Sequence, residues 1–158
     1  MSCLPTCPFG KLKLNTAAVS YKFARKIGVG ATICDYKGNV LATSLTCLTS
    51  SYSVEVSQLL ALREGLKLAK LLNQPVSFTK CSSPFAIAFL NCPVPNLEDS
   101  HFIVLDIKTL FSDVGICNCQ ASSIKGKSLA NMLALKAFSY GKECLWVFNS
   151  PAYCPSAL

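Results

Sequence analysis

Carboxylates are scarce in this chain and unevenly placed. Of 158 residues only 8 are Asp or Glu, and none precedes Asp35. Whatever the first 34 residues do is therefore done without an acidic side chain. Histidine is reduced to His101, there is no Cys-x-x-Cys pair, and the close cysteine spacings, Cys3-x-x-x-Cys7 and Cys117-x-Cys119, have no second pair at finger distance. A structural zinc site is not expected from such a set. No apolar run approaches the roughly 18 residues that span a bilayer, so no membrane partner is expected. The opening "MSCLPTCPFGKLKLN" lacks the basic stretch and apolar core of a secretory signal. Cytoplasm or nucleus is the expected location, and there the ten cysteines read as mostly free, buried thiols rather than a disulfide framework.

What the chain does have is apolar mass and positive charge. It is 51% hydrophobic and 15% charged, a composition that folds, and its length suits one core burying about two thirds of the unfolded surface. Residues 1–10 read as a lead segment and residues 11–158 as a single domain. Lys and Arg number 15, for a net charge of +7, and the first 26 residues carry Lys11, Lys13, Lys22, Arg25 and Lys26. This bias suits a polyanionic partner, and it equally serves solubility in so apolar a chain. Lys125 and Lys127 flank Gly126 just before a helical pattern, where a helix N-terminus favours phosphate.

The pattern along the chain is mixed α/β. "KLKLNTAAV" (11–19) alternates with a strand's period of two, and "IGVGATICDY" and "NVLATSLTCL" flank a Lys37-Gly38 turn. Three antiparallel strands are expected. "SVEVSQLLALREGLKLAKLLN" (53–73) places Leu59, Leu62, Leu66 and Ala69 at helical spacing, with Asn73 and Pro75 as the stop. A strand over 75–80, a short helix over 83–91, a strand over 114–122 and a helix over 126–141 follow. The segment 101–111, "HFIVLDIKTLF", fits either a strand or a helix capped by Asp99 or Ser100. Phe9, Phe23, Tyr36 and Trp146 are candidate base-stacking aromatics, with core packing the plainer role; Asn15 and Asn39 read as strand-end and turn residues.

This order, carried by "KLKLNTAAV", "GVGATICDYKGNVLAT", "EVSQLLALREGLKLAKLLNQP", "LEDSHFIVLDIKTLFSDV", "SLANMLALKAF" and "LWVFNSPA", resembles the plant-type ribonuclease H-like domain found beside reverse-transcriptase-like sequences. The resemblance implies a five-stranded mixed sheet with helices on both faces, and a helix over 101–111. Active members of that family are expected to hydrolyse the RNA strand of an RNA–DNA hybrid with two Mg²⁺ ions, held about 4 Å apart by carboxylates.

Compared position by position with that family, the carboxylates are missing. Where the first strand of the family reads Asn-x-Asp, the chain reads Asn15-Thr16-Ala17; a one-residue deletion near Thr16 fits equally well. Gln58 stands where the long helix carries Glu, Cys81 where the next strand ends in Asp, and Asn131 where the last helix carries Asp or His. A thiol is a poor Mg²⁺ ligand, and Cys81 beside Lys80 is also a candidate reactive thiol, a lesser reading than a thiol filling the old position. No metal and no cofactor are expected. The resemblance implies a catalytically inactive ribonuclease H-like domain that keeps nucleic-acid binding. The alternatives are a protein-interaction module on the same fold, with an unidentified protein as partner, and an active Mg²⁺-dependent hybrid ribonuclease with rearranged ligands.

Overall fold

The computed structural model describes residues 10–21, 23–49, 52–73, 75–81, 87–88, 99–116, 118–121, 128–141, 144–147 and 154–157. Strands β1 (Leu12–Ser20), β2 (Ile27–Cys34) and β3 (Val40–Leu48) are followed by α1 (Val54–Leu71), β4 (Val76–Cys81), α2 (Asp99–Val114), β5 (Asn118–Ala121), α3 (Ser128–Tyr140), β6 (Cys144–Val147) and β7 (Cys154–Ala157). All strands join one sheet in the order β5-β4-β1-β2-β3-β6-β7. The first three are antiparallel, whereas β4 runs parallel to β1 and β5 parallel to β4. The expected five-stranded mixed sheet is present. Beyond β3 the short β6 and β7 extend its edge; runs of four residues, "CLWV" and "CPSA", are too short to display a period.

The β2–β3 connection is the turn read from Lys37-Gly38. Gly38 adopts φ 87°, a left-handed conformation that suits glycine. The Asp35 carboxylate accepts from Lys37 N (2.9 Å), Asn39 N (2.8 Å) and Asn39 Nδ2 (3.1 Å). Ser53 caps α1 by accepting from Val56 N at 3.2 Å. Residues 101–111 are helical within α2, which starts at Asp99, so Asp99 and Ser100 lie inside its first turn rather than ahead of it. The strand expected over 114–122 is shorter: Gly115 turns at φ 91°, its N–H and that of Ile116 both donate to Phe111 O at 2.9 Å, and β5 begins only at Asn118. This closure of a helix consumes the β-branched start of that run. Of the helix expected over 83–91, only residues 87 and 88 are described, and both are helical.

Adjacent residues of β1 face opposite ways, and each face meets a helix. Leu14 and Thr16 face α1, where a Cβ added at Gly65 would lie 2.6 Å from Thr16 Cγ2. Leu14, Ile33, Leu59, Leu62, Leu66, Ile103 and Ile107 form the core on that side, each buried side chain worth at most about 1.5–3 kcal/mol. Ala17 and Val19 face α3, packing with Ala130 and Ala134. There the backbones nearly touch: a Cβ at Gly28 would lie 2.1 Å from Ala134 O, and one at Gly30 2.1 Å from Ala130 O. Only glycine allows α3 to seat this closely on β2.

Candidate functional site

The site positions lie where the C-terminal half of β1 passes between α1 and α3. Gln58 shares a face of α1 with Leu62 and Gly65, two turns along, so it reaches β1 beyond the point where Gly65 touches Leu14 and Thr16. The β1–β4 pairing ends at Asn15 and Lys80. Past that end, Gln58 Nε2 donates to Ala18 O at 3.2 Å, and Gln58 is only 7% exposed. Ser57 Oγ turns back to Ser53 O at 2.8 Å. A carboxylate at position 58 has no donor for that bond; in this arrangement the side chain acts as a strut on β1.

Ala17 is fully buried against Ala130 and Ala134, and Asn131, the next residue of α3, is half-buried at the edge of that contact. Ala17, Gln58 and the α3 position are thus brought to one stretch of β1. Cys81 is not. Because Asn15 pairs with Lys80, Cys81 lies beside Thr16 and points to the α1 side, where it is fully buried in the apolar core with Leu14 and Leu59. Burial also removes the reactive-thiol reading of Cys81, since thiolate chemistry needs access and an electropositive setting. Its neighbour Cys119 is held protonated, first by its hydrogen bond with Cys81 and then by burial.

The basic candidates separate too. Lys11 and Arg25 are exposed and Lys26 is half-buried. Lys13 is only 2% exposed, so it is withdrawn as a phosphate contact: both faces of β1 are covered by helices, and the Lys11, Lys13, Asn15 alternation does not mark a wet face. Lys22, Lys125 and Lys127 lie outside the described residues, as do Phe9 and the side chain of Trp146. Of the cysteines whose side chains are described, Cys47, Cys81 and Cys119 are not in disulfides, whereas Cys34 is disulfide-bonded.

These residues do not fit a pair of Mg²⁺ ions. A sealed methyl, a neutral amide that donates to Ala18 O, and a thiol buried in the apolar core supply no anionic oxygen. Among the described residues no three His, Cys, Asp or Glu converge. Several acids are engaged on the helices facing away from β1, with Arg63 meeting Asp106 at 3.4 Å and Lys70 meeting Asp113 at 2.9 Å. No helix of the described residues is long and apolar enough to cross a membrane.

An open mixed sheet of this order, with helices on both faces, defines a ribonuclease H-like protein. The chain belongs to the reverse transcriptase-like family, whose model matches residues 15–137. RNase H1 from the halophilic archaeon Halobacterium salinarum superposes with a TM-score of 0.73 at 13% identity, over 82% of this chain and 98% of that one. The N-terminal RNase H domain of a Mycobacterium tuberculosis protein gives 0.69 at 17% identity, over 80% and 97%. LC11-RNase H1, solved in complex with an RNA/DNA hybrid, gives 0.65 at 17% identity, over 81% and 99%. No curated protein matches the chain in sequence.

Proposed function

We propose that this is a non-catalytic ribonuclease H-like domain that binds nucleic acid, acting in the cytoplasm or the nucleus. The observation that carries it is the bond from Gln58 Nε2 to Ala18 O beside a fully buried Ala17. Where two metal-binding carboxylates are expected in active relatives, these side chains brace β1 instead. Retained binding is supported by the net charge of +7, by the exposed Lys11 and Arg25, and by a fold that in LC11-RNase H1 holds an RNA/DNA hybrid.

The test is a binding titration on a labelled RNA–DNA hybrid at several salt concentrations. Phosphate neutralisation predicts that log K falls linearly with log salt, by about 0.9 per contact on a duplex. A second reading, a protein-interaction module, draws on the exposed Met132 (51%) and Leu135 (48%) on the outer face of α3. It predicts no salt-dependent affinity for any nucleic acid.

A further inference from the structure

The turn joining β1 to β2 carries two exposed aromatic rings. Tyr21 is 59% exposed and Phe23 89% exposed, and Arg25 beside them is exposed as well. The turn is braced from beneath by one residue of α3. Tyr21 meets the Phe138 ring edge-on at 4.9 Å, with planes at 68°, and Lys26 Nζ sits 4.6 Å from the centre of the same ring. The chain between closes with Ala24 N donating to Tyr21 O at 3.0 Å. Tyr140, 67% exposed, ends α3 two residues beyond Phe138. Both arms of the turn are therefore tied to Phe138, and Phe23 between them keeps 89% of its surface exposed, with Arg25 and Lys26 following it in sequence and no acid nearer in sequence than Asp35.

We propose that this turn is a stacking platform for unpaired bases, so that the domain takes single-stranded nucleic acid in preference to a perfect hybrid. The inference rests on the nucleic-acid-binding reading above and names its ligand class. An exposed ring can stack on a base only where that base's face is open, which a continuous duplex denies except at its ends. The surrounding charge selects a polyanion, and the aromatic plane selects one carrying flat, accessible rings. Arg25 and Lys26 supply phosphate contacts that are blind to sequence. The turn follows β1 directly, about 13 Å along the strand from Ala17 to Tyr21, so a strand laid across the former site reaches it.

The experiment is fluorescence anisotropy with the full chain and three labelled probes of one sequence: a 12-nucleotide RNA, the matching DNA, and the blunt RNA–DNA hybrid. The expected result is tighter binding to the single strands than to the hybrid. Phe23→Ala should weaken the single strands about tenfold, within the range for one base–aromatic stack, and leave the hybrid and the salt slope unchanged. Phe23→Trp should retain affinity and Phe23→Leu should not, since Leu keeps apolar area without a ring. With Phe23 at 89% exposure, these variants keep the wild-type melting curve. Binding that is indifferent to Phe23 on every probe overturns the platform while leaving nucleic-acid binding standing. Competition by polyglutamate as effective as by RNA also overturns it, marking a plain cationic patch. Absence of binding to all three probes at low salt overturns both the platform and the reading beneath it.

Discussion

Gln58 and Ala17 show how one-residue chemistry decides what the surrounding fold can do. The Gln58 amide donates at 3.2 Å to Ala18 O, so Gln58→Glu places an ionised, largely buried carboxylate against a carbonyl. A loss of about 2–4 kcal/mol at neutral pH is expected from the orphaned acceptor and the buried charge, measured by urea unfolding. The carboxyl pKa is raised in the folded state, so the loss should shrink as pH falls and the acid protonates; a pH-independent loss would show that the bond to Ala18 is not the cause. Ala17→Asp should be worse tolerated, since its carboxylate enters the contact with Ala130 and Ala134. Asp35 behaves oppositely. Burial tends to raise its pKa, but the bonds from Asn39 and Lys37 outweigh that and lower it below the usual 3.8. Its contribution is therefore present above the unfolded pKa and lost as pH falls through the lower folded one. The stability difference between the wild type and Asp35→Asn, followed by acid titration, should be flat near neutrality and collapse only in the acid range. The expectation at Gln58 and Ala17 came from the letters alone, since a missing charge can be read by its place in a family pattern. The burial of Lys13 and Cys81 was not legible, because alternation gives the two faces of a strand but not which face is wet or which register pairs it.

The elements themselves were mostly written in local sequence. Period-two alternation, the Lys37-Gly38 turn and the Leu59, Leu62, Leu66, Ala69 stripe each carry their own structure. α2 was not, since "HFIVLDIKTLF" satisfies two periods at once and is decided by its packing on α1, where Ile103 and Ile107 join the core. The close seat of α3 was equally hidden: Gly28 and Gly30 look like flexible points in a strand, yet they are the floor on which Ala130 and Ala134 rest. Gly28→Ala and Gly30→Ala each drive a methyl to within 2.1 Å of a helix carbonyl, which backbone must move to relieve. Each should cost more than about 2 kcal/mol by chemical denaturation, whereas Gly115→Ala, with open space around it but φ at 91°, should lose only the smaller amount due to backbone strain, about 1 kcal/mol. Equal losses at all three would mean that α3 does not rest on β2 as described.

At the scale of the molecule, a sheet that superposes on RNase H1 at a TM-score of 0.73 carries Ala17 buried and Gln58 bonded to Ala18 O at the positions the proposal assigns to the site. Its net charge of +7 is the feature that still suits a nucleic acid. The central claim is that binding persists where hydrolysis has gone, and the most direct test is cleavage of a labelled RNA–DNA hybrid with Mg²⁺ or Mn²⁺ by the unmodified chain, purified free of host nuclease. No product is expected above that given by Gln58→Ala or Asn131→Ala prepared in parallel, because among the described residues no carboxylates converge to hold a metal pair. Turnover by the unmodified chain that either substitution abolishes would contradict the account.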